Sequence, residues 1–121
     1  MKRILILEDN DERIELFSKN FLNCELCIVK HVDACIEKLK TEKWWGLFLD
    51  HDLNGNMYVF SGGEEETGYD VAKFLNENPE FTPEYVATHS LNESGRIKIL
   101  GQIGAHETLF VWQKIVDFNE I

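Results

Sequence analysis

The feature that most constrains the fold of this chain is an alternation of short apolar runs with segments of helical period. Five apolar runs predict β-strands, at residues 3–7, 26–29, 46–49, 85–88 and 108–112. The first run shows no alternation of apolar and polar residues, which is typical of a strand buried on both faces. Strands that alternate with helices form a mainly parallel sheet covered on both sides. We therefore expect one α/β domain that spans residues 1–121.

Apolar residues spaced three and four apart predict four helices between these strands. Asn10 or Asp11 is the expected cap of the first helix, and Asp33 is the expected cap of the second. The third helix should begin at Gly68 and stop before Pro79. Ile36 and Leu39 are the predicted inward positions of the second helix, and Val71, Ala72 and Leu75 are those of the third. The residues whose spacing marks the first and fourth helices are Ile14, Phe17, Phe21, Leu22, Ile97, Leu100 and Ile103. Residues 53–67 have no clear period and predict a long loop, either a lid or a plain surface loop.

The charge balance limits the class of partner. The chain has 22 acidic and 12 basic residues, a formal net charge of −10, and no block of Lys and Arg. Long duplex DNA is not expected as a partner, because affinity for phosphate backbones comes mainly from clustered cations. A small anionic ligand is compatible, since a helix N-terminus, a single cation or a metal can offset its charge locally. With no apolar run of ~20 residues and no signal-peptide pattern, we expect a soluble, cytoplasmic protein without membrane contact.

The three cysteines are better explained as buried thiols than as metal ligands. Cys24, Cys27, His31 and Cys35 have a spacing that is similar to a zinc knuckle. However, the first two fall on a predicted strand and Cys35 falls on the apolar face of a helix, whereas such ligands usually lie in turns. His31 and His106 are interpreted as ordinary surface residues.

Polar clusters follow three of the predicted strands directly. They are residues 8–10 (Glu-Asp-Asn), 50–52 (Asp-His-Asp) and 89–92 (His-Ser-Leu-Asn). In the usual strand order of such sheets, 2-1-3-4-5, the first, third and fourth strands are neighbours. The clusters then converge at the carboxyl ends of the strands, where parallel sheets bind ligands. This edge is the predicted functional site.

The same positions resemble a response-regulator receiver domain over nearly the whole chain. Glu8-Asp9 is similar to the acidic metal-binding pair of that family, Asp50 to its phosphoacceptor, and Thr88 to its switch hydroxyl. Residues 104–106 (Gly-Ala-His) resemble the Gly-Ala-Asp before its fifth strand. The resemblance implies a flavodoxin-like, receiver-like three-layer sandwich with a five-stranded parallel sheet.

One receiver element is missing, which is the lysine at the end of the fifth strand. Its place falls on or near Val111, and Lys114 comes several residues too late. Because that lysine grips the phosphoryl group in the family, we expect no stable phosphorylation of Asp50.

Three further motifs resemble the cyclic-phosphate processing receiver domain family. They are LDHDL at 49–53, TGYD at 67–70 and HSLN at 89–92. The family's glycine after Leu53 is displaced here by Asn54 and follows as Gly55, and the loop before TGYD is longer than expected. The resemblance implies a phosphoesterase that processes a cyclic phosphate, on a cyclic nucleotide or at a 2′,3′-cyclic phosphate end of RNA.

Two histidines permit acid–base catalysis at this edge. A neutral His51 or His89 could accept a proton from water while the other, protonated, donates one to the leaving oxygen. Asp50 or Asp52 beside a histidine would orient it and raise its pKa. In an extended chain, however, Asp50 and Asp52 point one way and His51 the other. One of them must therefore serve as scaffold unless the chain turns there.

The other predicted side chains bind the substrate. Ser90 and Asn92 stand at the N-terminus of the following helix, where they could hold phosphate oxygens beside backbone N–H groups. Asn10, in the first polar cluster, is assigned to the same substrate-binding set.

A second mechanism uses a metal. Glu8, Asp9, Asp50 and Asp52 are hard oxygen ligands, and the expected cofactor is Mg²⁺ or Mn²⁺, which could polarise the phosphate and lower the pKa of a bound water. Two other functions remain open. The same edge could bind a cyclic nucleotide or a protein without turnover, or the chain could be a degenerate receiver that signals through dimerisation.

Overall fold

The computed structural model describes residues 1–53 and 67–121. Its strands are β1 (Lys2–Leu7), β2 (Phe21–Leu22), β3 (Cys24–Val29), β4 (Gly46–Leu49), β5 (Tyr85–Thr88), β6 (His106–Glu107) and β7 (Val116–Asp117). Within the described residues, five parallel strands form one sheet in the order β3-β1-β4-β5-β6, while β2 and β7 pair separately. Counted along the chain, the five strands of the main sheet have the order 2-1-3-4-5, so the predicted topology is confirmed.

Helices cover both faces of the main sheet. They are α1 (Asp11–Asn20), α2 (Val32–Thr41), α3 (Gly68–Glu77) and α4 (Glu93–Gln102). Leu5 and Leu7 of β1 pack with buried residues of α2, α3 and α4, whereas Ile4 and Ile6 pack with Phe17 of α1. Successive side chains of a strand point to opposite faces. The sheet therefore separates two cores, one beneath α1 and the C-terminal segment and one beneath α2, α3 and α4.

The fifth strand differs from the prediction of residues 108–112. It is only His106–Glu107, and it pairs with Ala87 and Thr88 of β5. The apolar run that follows turns away, with Phe110 at φ 57° and a 3₁₀ turn at Val111–Gln113. Val111 and Trp112 are buried in the core beneath α1 instead of in the sheet. The residue that follows the fifth strand is therefore Thr108 and not Val111, and it is not a lysine either.

Two predicted helix ends were wrong. Helix α1 stops at Asn20, and Phe21 and Leu22 form β2 before Asn23 turns the chain with φ 57°. Helix α2 begins at Val32, with His31 at the cap position, so Asp33 lies inside the first turn instead of capping it. A carboxylate there still interacts favourably with the positive end of the helix.

The helix marked by Ile97, Leu100 and Ile103 is present as α4. Ile97 is 58% exposed, and Ile99 is the buried isoleucine of this helix. Gly95, one turn before Ile99, is buried beside it. The predicted α1 cap and the predicted start of α3 are confirmed, since the Asn10 side chain accepts from the Arg13 N–H and α3 begins at Gly68.

The cysteines are free thiols, as the sequence predicts. Cys35 is buried, Cys24 and Cys27 are half-buried, and all three thiols are free. Burial raises the pKa of the Cys35 thiol to about 12, as expected for an inert core cysteine.

The predicted loop at residues 53–67 lies outside the described residues except for its ends, Leu53 and Thr67. None of the described helices has the length and apolar character that crossing a membrane requires.

Candidate functional site

The register of three neighbouring strands brings the polar clusters together. Leu7 is paired with Leu49, and Leu49 is paired with Thr88. The next residues are Glu8, Asp50 and His89, and the backbone ladder continues there, with Asp50 N–H donating to Leu7 and His89 N–H donating to Leu49, both at 3.1 Å. Because side chains alternate along a strand, all three are directed to the α1 face. We call Glu8, Asp50 and His89 the edge cluster.

The centre of the edge cluster is a buried pair formed by Glu8 and His89. Oε1 of Glu8 lies 3.0 Å from Nε2 of His89, and both side chains are fully buried. The other oxygen of Glu8 accepts from the backbone N–H groups of Asp9 and Asn10, at 3.1 and 3.2 Å. Both oxygens of the Glu8 carboxylate are therefore engaged, which holds it in one orientation.

The ring of His89 is enclosed by aromatic side chains. Phe17 and Trp112 meet it edge-on, with ring centroids 5.1 and 5.8 Å away. Among the described residues, Nδ1 of His89 is the buried side-chain polar atom that has no hydrogen-bond partner. Leaving such an atom unsatisfied typically costs ~1–3 kcal/mol.

The two carboxyl groups of the edge cluster differ in their affinity for protons. Burial raises the pKa of Asp50 to about 8, and the negative charge of Glu8 and a hydrogen bond to it add to the effect. Burial also acts to raise the pKa of Glu8, but the hydrogen bond and charge of His89, with the Asn10 N–H and Arg13, hold that pKa below its usual value. Neighbouring groups whose pKa values are driven apart are typical of acid–base sites.

Arg13 is a site residue that the sequence analysis did not identify. Its Nη1 lies 3.7 Å from Glu8 Oε1 and 3.7 Å from Asp50 Oδ2, and its guanidinium is 4.5 Å from the centre of the Trp112 ring. Arg13 stands one turn after the Asn10 cap. Helical side chains point back toward the N-terminus, so this spacing could have placed Arg13 over the strand ends.

His51 belongs to a second group on the opposite face. Its Nδ1 lies 2.8 Å from Asp52 Oδ1, which also accepts from the Asn92 side chain at 3.1 Å. The ring lies against the start of α4, because a Cβ added at Gly95 would stand 2.4 Å from His51 Cγ. Since His89 packs beneath α1, the structure does not bring the two histidines together.

The predicted substrate-binding residues have local hydrogen bonds. Asn92 caps α4 by accepting from the Gly95 N–H, and the Ser90 hydroxyl accepts from the Asn92 N–H. Asn10 caps α1. These bonds explain why the sequence forms helix starts here, and the substrate-binding role of the three residues stays a prediction.

The TGYD motif positions the chain around Asp50. Thr67 and Asp70 form a reciprocal capping box at the start of α3. A Cβ added at Gly68 would lie 2.1 Å from the Asp50 carbonyl oxygen, so only glycine permits this approach of α3 to the strand end. The Tyr69 hydroxyl accepts from Gln102 and links α3 to α4.

A divalent cation is chemically compatible with the edge cluster. Glu8, Asp50 and His89 each offer a ligand atom within 4.8 Å of the others, while Asp9 and Asp52, also predicted as ligands, are outside this group in the described part of the chain. The two carboxyl groups suit Mg²⁺ or Mn²⁺, whereas an imidazole donor is more typical of Zn²⁺ or Fe. Arg13 already places a positive charge against both carboxylates, so a metal would have to compete with it.

The fold is that of a receiver domain. The sequence matches the model of the Cyclic-phosphate processing Receiver domain over residues 3–105, and the chain belongs to that family. Similar solved structures include the Mn²⁺-bound form of response regulator Rcp1, with 21% identity over 90% of this chain and 80% of that chain and a TM-score of 0.65.

Two other solved structures have similar sequence identities and TM-scores. A CheY-like receiver domain protein from Methanospirillum hungatei JF-1 has 16% identity over 90% of this chain and 80% of its own, with a TM-score of 0.60. A response regulator from Thermotoga maritima has 16% identity over 91% and 85%, with a TM-score of 0.62. At these identities the likeness establishes the fold. The comparison with curated protein sequences gave no match.

Proposed function

We propose that this domain hydrolyses a cyclic phosphate ester, on a nucleotide or at the end of an RNA strand, at the edge formed by Glu8, Asp50 and His89. The observation that carries the proposal is the buried Glu8–His89 hydrogen bond beside Asp50, at the carboxyl ends of three adjacent strands. The family description supports the substrate class. Thr108 at the end of the fifth strand argues against a conventional phosphoacceptor function, because receivers have a lysine there.

Hydrolysis adds water to phosphorus and breaks one phosphorus–oxygen ester bond, so the leaving oxygen needs a proton. Asp50 is the group assigned to give it, because its raised pKa of about 8 keeps the carboxyl protonated at neutral pH. Glu8 contacts Asp50 and is held by His89. The Nε2 atom of His89 lies 3.0 Å from Glu8 Oε1, and Phe17 and Trp112 enclose its ring, so in this geometry His89 acts on the reaction through Glu8, as a positioning residue.

The base that activates water is assigned to His51. Its Nδ1 lies 2.8 Å from Asp52 Oδ1, and this contact holds the ring in one orientation. His51 and Asp50 are consecutive and flank the strand end from its two faces, which suits attack and departure on opposite sides of a phosphate. A divalent cation would supply charge to the phosphate oxygens, but one bound through Asp50 would displace the proton that this carboxyl gives, so the metal and the Asp50 acid are alternatives.

A second function is favoured by the burial of the site. Glu8 and His89 are fully buried, and Asn92 and Ser90 already serve the start of α4. A site of this kind could bind a small phosphorylated ligand, such as a cyclic nucleotide, without turnover. The two functions share the ligand class and differ in the reaction.

A substrate panel tests both functions. We would incubate the protein with 2′,3′- and 3′,5′-cyclic mononucleotides, cyclic dinucleotides and RNA that ends in a 2′,3′-cyclic phosphate, each with Mg²⁺, Mn²⁺ or EDTA, and follow products by ³¹P NMR. Turnover should fall ~10²–10⁴-fold in Asp50→Asn and stay unchanged in Asp33→Asn, whose carboxylate is exposed on α2. Tight binding without turnover would support the binding module, and neither binding nor turnover would overturn both.

A further inference from the structure

We propose that Arg13 is the phosphate-binding cation of this edge, the residue that meets the non-bridging oxygens of the ligand's phosphate group. The inference rests on the proposed function for the class of ligand. It concerns binding, which can be measured whether or not the domain turns a substrate over.

An acidic edge needs a local cation before it can hold an anion. The edge carries Glu8, Asp9, Asp50 and Asp52 in a chain of net charge −10, and neither Thr108, which follows the fifth strand, nor Val111 is a cation. In the described part of the chain, Arg13 is the arginine that forms ion pairs with Glu8 and Asp50, with one nitrogen 3.7 Å from a carboxyl oxygen of each. It therefore supplies positive charge at the point where a phosphate would meet Asp50.

Among the described residues, Arg13 differs from the other two arginines in how its donors are used. Arg3 donates to Glu25, Glu42 and the carbonyl of Lys43, and Arg96 donates to Glu107 and the carbonyl of Ser90. Arg13 makes no side-chain hydrogen bond to any residue that the structure describes; its ion-pair distances are longer than hydrogen bonds. A guanidinium offers five N–H donors in a fork that matches phosphate oxygens.

The position of Arg13 is also fixed in advance. The guanidinium lies 4.5 Å from the centre of the Trp112 ring, and its side chain is 22% exposed. Trp112 is buried in the core beneath α1, so the surrounding core side chains hold its ring in place. The Arg13 side chain is therefore held in place while part of its guanidinium stays open to a ligand. Because this side chain is already ordered, binding costs less conformational entropy.

Titration with inorganic phosphate, followed by two-dimensional ¹⁵N–¹H NMR and calorimetry, tests the proposal without a turnover assay. Saturable binding by the wild type should weaken about tenfold or more in Arg13→Gln, because charge-assisted hydrogen bonds are lost. Arg13→Lys should bind with intermediate affinity, since it keeps the charge but not the fork. Arg3→Gln removes the same charge from the opposite edge of the sheet and should bind like the wild type.

The wild type alone provides a readout that does not depend on whether a variant folds. Addition of phosphate should shift the Nε–H resonance of Arg13 and leave that of Arg3 in place. An unshifted Arg13 resonance, equal affinity in Arg13→Gln and the wild type, an equal loss in Arg3→Gln, or no saturable phosphate binding would each overturn the assignment. The proposed hydrolysis is tested by a different measurement, cyclic-phosphate turnover. A failure of the Arg13 assignment can therefore be distinguished from a failure of the proposed function.

Discussion

The Nε2 atom of His89 lies 3.0 Å from Oε1 of Glu8, although the two residues are 81 positions apart in the chain. Neither side chain is exposed. The hydrogen bond joins the ends of β1 and β5 across the strand that carries Asp50, so the geometry of the edge cluster depends on it.

Replacement of His89 by Ala should destabilise the fold and raise the pKa of Glu8. The change removes a hydrogen bond to a buried carboxylate, and such bonds contribute ~1.5–3 kcal/mol. The free energy of unfolding in urea should fall by about that amount. His31→Ala is the control, because His31 is exposed at the start of α2 and should leave stability unchanged. Equal stability of both variants would contradict the role assigned to the pair.

The same position tests the reaction. His89→Asn should lower turnover of a cyclic phosphate by ~10²–10⁴-fold and displace its pH profile, since Glu8 loses the partner that lowers its pKa. A purely structural histidine would leave the pH profile of the residual activity in place. Full turnover with the wild-type profile would remove His89 from the mechanism.

Stability should depend on pH through Asp50. Its pKa is about 8 in the folded chain and near 3.8 without the fold, so between these values the folded state holds an additional proton. The free energy of unfolding then falls as pH rises through this window, with a slope of up to about 1.4 kcal/mol per pH unit. The lowered pKa of Glu8 acts in the opposite direction, but only below about pH 4.5, where its stabilisation is lost as pH falls.

Asp50→Asn should therefore be more stable than the wild type at pH 8 and closer to it at pH 5. Asparagine resembles the protonated carboxyl and cannot ionise, so the decline with pH disappears. Urea unfolding at several pH values measures the difference, and Asp33→Asn should follow the wild-type curve. If Asp50→Asn has the same pH slope as the wild type, Asp50 titrates normally and cannot serve as the general acid.

Strands and their ends were predictable from the sequence because they depend on local pattern. The bounds of β4 and β5 follow from the apolar runs at 46–49 and 85–88, and the polar edge follows from the residues after them. The fifth strand was not predictable in this way. The apolar pattern at 108–112 fits a buried strand and a buried turn equally well. In the structure, the turn allows Trp112 to pack against Phe17 of α1, a tertiary contact that the local pattern does not contain.

The membership of the edge cluster depends on register as well as on sequence. Alternation alone separates Asp50 from His51, as predicted, but the face of His89 follows only once Thr88 is known to pair with Leu49. Arg13 was missed because it lies outside all three polar clusters. Its role requires the direction of α1 relative to β1, which is a tertiary property.

Asp50 should resist phosphorylation by acetyl phosphate. A protonated carboxyl is a poor nucleophile, and Thr108 at the end of the fifth strand offers no cation to stabilise an acylphosphate. Intact-mass measurement after incubation with acetyl phosphate and Mg²⁺ should show no stable adduct, and beryllofluoride should cause no shift in the NMR spectrum. A modified Asp50 would instead indicate a functioning receiver.

Gly68→Ala should disturb the site, whereas Gly101→Ala should be harmless. A Cβ at Gly68 would lie 2.1 Å from the Asp50 carbonyl oxygen, which is backbone and cannot rotate away, while a Cβ at Gly101 meets nothing within 4 Å. We expect Gly68→Ala to lose more than about 2 kcal/mol of stability. Gly101→Ala in α4 should gain ~0.5–1 kcal/mol, because alanine favours the helix. Equal effects of the two changes in urea unfolding would contradict the close approach of α3 to β4.

Removal of the Arg13 charge should strengthen metal binding at the edge cluster. Nη1 of Arg13 is 3.7 Å from an oxygen of each carboxylate, so a divalent cation that binds Glu8 and Asp50 is repelled by the guanidinium or must displace it. Arg13→Gln should bind Mn²⁺ about tenfold more tightly than the wild type, measured by the loss of the free Mn²⁺ signal in electron paramagnetic resonance. Arg3→Gln is the matched control, since it changes the net charge equally but lies with Glu25 and Glu42, away from the edge cluster. Tighter binding in both variants would reveal only a general charge effect, and weaker binding in Arg13→Gln would show that Arg13 supports the metal site instead of competing with it.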